Sequence, residues 1–417
     1  MKKLICIGAL VLVVALLLTM APACGKEKEV TPTPGVTPTP GVTPTPTPEV
    51  KTLKLGTIWP LSGPTAGWGV PMELAVKWAA DRINEGGGIR VGDDIYMIKV
   101  ITCDDKLVPG ETAKCAARLA YDEKVDYVVG PLLTHMAALP TFHQEKIFMG
   151  CVIMTSGDMS PEYPYFVTCW PSIQSYCGEI LNATLEIYPD IKSIATFQAQ
   201  IAGIEERLDF LKGWAEAHGI DEVAVEIYEY GTTDFYPILT KVLAKNPDLL
   251  HLVTVAPSHC RLLVKQAREL GYTGHIVISA TLAEVVGELP AEMMEGVVAC
   301  QPDWGPLFPE GTRELYRDFN ERYPEYHGYL DYSMPLSFAT VQLFAAAIEE
   351  AGTTDVDAVR AVLDDPDFRF TFFGFEGAGM GGVEVHGHPS QADAFNCVSV
   401  VENGEVVTKK VMRLHTP

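Results

Sequence analysis

From residue 53 onward, short apolar runs alternate with stretches in which apolar residues recur every three or four positions, the spacings of strands and of amphipathic helices. Leu53-Lys54-Leu55-Gly56-Thr57-Ile58 predicts a strand. Residues 72–84 predict a helix with Leu74, Trp78, Ala79 and Ile83 on one face, ended by Gly86-Gly87-Gly88. Further strands are predicted at 95–102, 125–129 and 148–154, alternating with helices at 111–121 and 134–146. A second series follows, with helices at 173–188, 205–218, 235–244 and 260–270 and strands at 194–197, 223–227, 249–255 and 275–279. A long helix over 336–351 and a strand-rich stretch complete the pattern. Strands separated by single helices pair in parallel through right-handed crossovers. The series occurs twice, so the fold class is α/β with two doubly wound parallel-sheet lobes. In such sheets ligands bind beyond the carboxyl ends of the strands, and two facing lobes make a cleft there. The segments to read for chemistry are therefore 59–70, 130–136, 155–161, 198–203, 256–259 and 280–284.

The first fifty residues follow another pattern. Met1-Lys2-Lys3 precedes an apolar run from Leu4 to Met20, then Ala21-Pro22-Ala23-Cys24-Gly25. A positive start, an apolar middle and small residues before a cut site predict a secretory signal over residues 1–23. The stretch resembles a bacterial lipoprotein signal, in which the cysteine, here Cys24, becomes the lipidated N-terminus. Ala21 and Pro22 depart from that pattern, and simple secretion is the alternative. Two acyl chains hold a protein stably at a membrane where one is marginal. Residues 24–50 are rich in Thr-Pro and Gly-Val, a composition that stays extended and reaches roughly 80 Å at about 3.1 Å per residue. No second apolar run of spanning length follows, which predicts anchoring at one end only.

The rest of the chain, at 47% hydrophobic and 20% charged over the whole sequence, has the balance of globular domains. The formal charge is -23, and loss of Lys2 and Lys3 with the signal makes it -25. That acidity argues against nucleic acid as a partner. Ten Cys occur, of which Cys6 and Cys24 belong to the leader. The remaining eight allow 105 full pairings. Without CxxC or a tight Cys/His cluster no structural zinc site is expected, and those in apolar runs such as Val297-Val298-Ala299-Cys300 read as buried free thiols. His386-Gly387-His388-Pro389 lacks partner ligands and reads as a loop. No GxSxG, P-loop or HExxH occurs, and no cofactor is expected. Asp104-Asp105 at a strand end reads as turn capping rather than as an acid–base pair.

Pro60-Leu61-Ser62-Gly63-Pro64-Thr65-Ala66-Gly67-Trp68-Gly69, then Ile83-Asn84-Glu85-Gly86-Gly87-Gly88-Ile89, Cys103-Asp104-Asp105, Val128-Val129-Gly130, residues 266–272 and residues 332–342 occur in an ordered series. Together they resemble the type I periplasmic binding proteins of ABC importers, in the leucine/isoleucine/valine-binding group, over residues 53–407. The resemblance implies two lobes joined by three crossovers near 169–174, 300–305 and 374–386, with closure on a ligand and delivery to permease subunits. The expected division is 51–172 with 304–376 for the first lobe and 173–303 with 377–417 for the second. It further implies that Thr134 and the segment Gly157-Asp158-Met159 hold a ligand carboxylate, with His135 adding a charge or facing solvent. Trp68 and Tyr332 would touch the ligand side chain. Trp68 as a packing anchor and Thr134 as a helix cap are the plainer readings.

The second lobe departs from the group. Ala280 or Thr281 stands where amino acid-binding members carry an acidic residue, and Ala202 and Ala256 replace aromatics. An ammonium removed from water needs an acceptor or an anion. Glu284 or Asp158 would have to supply it; otherwise the ligand is an organic acid or amide, read by Gln198, Ser258 and His259. The expected function is an extracytoplasmic, membrane-anchored solute receptor and not an enzyme. The alternatives are a receptor serving a signalling partner, or a hydrolase using Asp104-Asp105 and His135.

Overall fold

The computed structural model describes residues 49–63, 65–152, 159–200, 204–229, 231–253, 255–278, 289–326, 330 and 333–416. The first sheet holds β1 (Val50–Trp59), β2 (Ile89–Val91), β3 (Asp94–Asp104), β4 (Tyr127–Leu132), β5 (Phe148–Val152) and β6 (Phe166–Val167), in the order β2-β3-β1-β4-β5-β6. All neighbours are parallel except the edge strand β2. Its strands connect through α1 (Ala66–Glu85), α2 (Pro109–Ala117), a π-helical turn Arg118–Glu123 and α3 (His135–Gln144). Because helices cover both faces, Leu55 to Trp59 are buried without a break.

The second series opens with α4 (Ile173–Ile187). The second sheet is built from β7 (Ser193–Ala199), β8 (Asp221–Tyr228), β9 (Leu249–Leu252), β10 (His275–Ile278) and β11 (Val297–Ala299). Its helices are α5 (Ile204–His218), α6 (Tyr236–Leu243), α7 (Pro257–Glu269) and the short α8 (Ala291–Met294). The chain then forms α9 (Glu310–Arg322), α10 (Ser333–Ala351), α11 (Val356–Leu363), the ribbon β12 (Phe370–Phe372) with β13 (Phe375–Ala378), and β14 (Met380–Gly381). It continues through α12 (Val383–His386) and β15 (Gln391–Ala392). Two final strands, β16 (Ala394–Glu402) and β17 (Glu405–Leu414), return antiparallel to the second sheet and complete the order β17-β16-β11-β10-β9-β7-β8.

α9, α10 and α11 fasten to the first sheet's layer. Trp78 of α1 is fully buried among Phe319, Phe338 and Phe373, with ring centroids 5.3, 4.5 and 5.8 Å away, and its indole N–H donates to Asp318 at 2.7 Å. Arg322 bridges Asp318 and Glu85. The Tyr127 hydroxyl donates to the Thr354 carbonyl at 2.9 Å. The segments passing between the sheets are hydrogen-bonded to one another. Thr168 N–H donates to the Ser390 carbonyl, Ala392 N–H donates to the Thr168 carbonyl, and the Gln391 amide donates to the Trp170 carbonyl at 2.6 Å. Asp303 and Thr408 exchange two bonds at 3.1 Å.

Four local expectations change. The first helix begins at Ala66, not at residue 72, so Trp68 lies in its first turn and not in a free loop. Gly67, Gly69 and Pro71 are weak helix formers, but tertiary packing overrides them: Gly69 lies so close to the Pro60 backbone that no Cβ fits. The predicted strand 249–255 ends at Leu252. α9 and α11 were absent from the pattern; α9 buries only Thr312, Leu315 and Phe319 among polar neighbours, too narrow a stripe to stand out. Beside the parallel strands that the pattern predicted, the sheets carry antiparallel edges: β2, which the pattern missed, in one, and β16–β17, from the terminal strand-rich stretch, in the other. Among the described residues, Cys103–Cys115 is the one disulfide, while Cys151, Cys169, Cys177, Cys260, Cys300 and Cys397 are buried free thiols, Cys300 as its apolar run implied.

His251 stands mid-strand in β9, fully buried between Thr196 and Val277, and among the described residues neither ring nitrogen has a hydrogen-bond partner. Burial disfavours the charged ring and pushes its pKa down from 6.5 to about 3. A folded-state pKa below the unfolded one means stability complete above pH 6.5 and lost as pH falls toward 3. His251→Leu should therefore flatten the fall in melting temperature between neutral and mildly acidic pH, measured by circular dichroism; an unchanged slope would show that the ring charges at no penalty.

Candidate functional site

β3 ends in two carboxylates with different duties. Asp104 accepts from the Leu61 N–H at 2.9 Å, the Ser62 hydroxyl at 2.5 Å and the Lys106 N–H at 3.0 Å. Burial opposes its ionisation, but the bonds from Ser62, Leu61 and Lys106 outweigh that and hold it below the usual carboxylate range. It thereby pins the segment between β1 and α1 that leads to Trp68. Asp105 is fully buried. It accepts from the Thr112 hydroxyl at 2.8 Å, the Thr134 hydroxyl at 2.9 Å and the Leu107 N–H at 3.0 Å. One side chain thus ties β3, α2 and the turn before α3. The Cys103–Cys115 disulfide joins β3 to α2 beside it, with Cα atoms 5.8 Å apart.

The turn before α3 depends on Gly130, whose φ of 98° and contact with the Ile58 carbonyl exclude a side chain. Leu133, at φ 59°, is exposed, and Thr134 follows it, buried. The Thr134 hydroxyl does not cap α3 as its position suggested; its proton goes to Asp105. His135 does not face solvent: it is buried in the first turn of α3, 5.5 Å from the Phe166 ring. Trp68 is half-buried and packs against the core from the first turn of α1. Met159 is buried with Ile58, Leu139 and Phe166.

On the second sheet, Gln198 is buried at the end of β7, and its amide donates to the Val253 carbonyl at 2.9 Å. His259, in the first turn of α7, is buried with Nδ1 3.2 Å from the Tyr228 hydroxyl, and Phe235 packs edge-on to Tyr228 at 5.0 Å. Ser258 is exposed beside it. Trp68, Thr134 and His135 therefore lie past the carboxyl ends of β1 and β4, and Gln198, Ser258 and His259 lie at or past those of β7 and β9. Gly157, Asp158, Tyr332 and Cys24 lie outside the described residues, as do Ala202, Ala280, Thr281 and Glu284.

The profile of the periplasmic binding protein family matches residues 52–397, a span that takes in the first sheet and the parallel strands of the second. The chain belongs to the periplasmic binding protein family. A Leu/Ile/Val-binding protein homolog 1 of Brucella abortus is 24% identical over 326 residues, which are 73% of this chain and 80% of the relative. The structure of the branched-chain amino acid transporter substrate-binding protein LivJ of Streptococcus pneumoniae, in complex with isoleucine, superposes with a TM-score of 0.71 at 20% identity. That match covers 87% of this chain and 100% of LivJ. A solute-binding protein of Rhodopseudomonas palustris, in complex with 3,4-dihydroxybenzoic acid, gives a TM-score of 0.71 at 19% identity over 88% of this chain and 98% of the other. The two-lobed α/β architecture is thus that of type I periplasmic binding proteins. The family is extracytoplasmic and made of binding proteins rather than enzymes. In this binding protein the carboxylates of Asp104 and Asp105 each accept three bonds from structural donors, which gives the pair a scaffolding role.

Sequence reasoning named Asp104-Asp105 as turn caps, which their bonds to Lys106 and Leu107 bear out, but missed their hold on Ser62, Thr112 and Thr134. The only local signal was an acidic pair directly after a strand. Asp105→Ala removes the shared acceptor of Thr112, Thr134 and the Leu107 N–H, leaving the two hydroxyls only the longer bonds to the Val108 and Leu132 carbonyls at 3.2 and 3.4 Å, and should destabilise the protein by about 3 kcal/mol in urea unfolding. A loss under about 1 kcal/mol would mean that the network is dispensable.

Proposed function

We propose that this protein is the receptor of an ABC importer, capturing a small carboxylic acid of the amino acid or aromatic acid class between its lobes and presenting it to permease subunits. The observation that carries the reading is the family match across both sheets, with the named residues gathered past the carboxyl ends of strands in each. In this reading residues 51–172 with 304–376 form one lobe and 173–303 with 377–417 the other, in keeping with the sheet to which each strand belongs. Trp68 offers an apolar face to the ligand, and Gln198 and His259 supply polar contacts from the second lobe. Lipid on Cys24 holds the chain at the membrane, and residues 24–50 act as its tether. Isoleucine in one structural neighbour and a dihydroxybenzoic acid in another support both ligand classes.

A thermal-shift screen of residues 51–417 against amino acids, aromatic acids, aliphatic acids and amides tests the reading, because a ligand of the folded state raises the melting temperature by linkage. A shift with any acid of these classes, recovered unchanged, fits a receptor; product formation overturns it. Trp68→Ala should weaken that ligand at least about tenfold with the melting temperature of the free protein nearly kept; unchanged affinity would take Trp68 out of the site. Cys24→Ala should move the protein from the membrane to the soluble fraction, and retention with membranes would exclude lipid as the anchor.

A further inference from the structure

Beyond β17 the chain turns back into the fold. Residues past the last strand of a sheet commonly fray unless something ties them down, yet Thr416 is only 4% exposed. Its carbonyl accepts from the Gly382 N–H at 2.7 Å, and its hydroxyl donates to that of Ser172 at 3.4 Å. Ser172 is the N-cap of α4, where the first passage between the sheets ends. Gly382 lies in the third passage, between β13 and β16. One residue thus touches both passages.

The neighbouring residues hold it there. Asp393, buried just before β16, accepts from the Gly379 N–H at 2.7 Å and from the Arg413 guanidinium, and His415 Nδ1 lies 2.6 Å from its other oxygen. Burial opposes ionisation of Asp393, but the bonds from Arg413, Gly379 and His415 hold it below the usual carboxylate range. Bonds to a charged acceptor are the stronger kind. The third passage is also shaped to receive Thr416. A Cβ on Gly381 would collide with the Thr416 carbonyl oxygen and come within 3.0 Å of the His415 ring. Gly381 pairs with Gln391, whose amide donates to the Trp170 carbonyl of the first passage at 2.6 Å. Gly382 has φ 93°, a conformation that favours glycine.

We propose that residues 413–416 are a strap that locks the first passage to the third, and that the strap raises ligand affinity from outside the binding residues. By limiting the orientations open to the lobes, it lowers the entropy lost when they close on a ligand. The lock stands on the contacts above, and its effect on affinity rests on the receptor reading.

The test is hydrogen exchange on the full chain, read at the Thr168 and Ala392 amides, which join the two passages by bonds of their own. Two variants release the strap from opposite sides. One is a chain ending at Leu414; the other is Gly381→Ala, which keeps the strap and blocks its seat. Each is checked for an intact melting transition. Each should speed exchange at Thr168 and Ala392 about tenfold or more, with the amides of β1 unchanged. The two changes combined should do no more than either alone. Tyr127→Phe, which loses a bond to the Thr354 carbonyl, controls for general destabilisation and should leave both amides at the parent's rate. Unchanged exchange in both strap variants, additive effects, or equal acceleration in Tyr127→Phe overturns the lock. Should one strap variant not fold, the other decides; should neither fold, His415→Ala decides by the same rates. Calorimetry with isoleucine and 3,4-dihydroxybenzoate then reads the effect on binding. The probe that the parent binds should lose about threefold or more in each strap variant. Equal affinity with faster exchange overturns the effect on closure. Binding of neither probe by the parent counts against the ligand classes of the receptor reading, and the exchange rates still decide the lock.

Discussion

Two adjacent carboxylates at the end of β3 set the geometry of the first lobe's working face. Asp104 holds the segment that delivers Trp68, and Asp105 holds both α2 and the turn that carries Thr134. A buried carboxylate is tolerated when donors surround it, and these donors come from elements far apart in sequence. The network therefore makes three loops behave as one body, with the disulfide from Cys103 to Cys115 closing it from below. Each of the four carboxylate oxygens is engaged in holding the scaffold.

The alternation of strands and helices was legible because it depends on local periodicity, which a sheet covered on both faces imposes strongly. What escaped was set by distant partners. α1 extends back to Ala66 because Gly69 packs on Pro60, a contact that helix propensity does not encode. The narrow buried stripe of α9 is stabilised by Trp78, more than two hundred residues earlier. Thr134 was legible as a candidate, but its hydroxyl's direction depends on Asp105, twenty-nine residues away.

The two halves are tied by backbone rather than by side-chain packing alone. Thr168, Ser390 and Ala392 form a short stretch of sheet-like pairing where the chain passes between lobes, and Asp303 and Thr408 brace a second passage. Bonds of this kind resist shear between the passing segments yet tolerate small rotations at their ends. Such pairing keeps the passing segments in register with one another.

The free thiols carry a consequence for the life of the molecule outside the cytoplasm. Once folded, Cys169 and Cys177 are pushed up to about 12 by burial, so almost no thiolate exists to meet an oxidant. The nascent chain has no such shelter, and eight cysteines compete for partners while one pair, Cys103 with Cys115, is the pair that joins. Cys169 and Cys177 lie nearer to each other in sequence, so loop closure does not choose the pair; the packing of α2 beside β3 does, and burial removes the other six from the competition. Folding is thus what shelters these thiols: a longer open stage means a longer exposure to oxidants and to wrong partners.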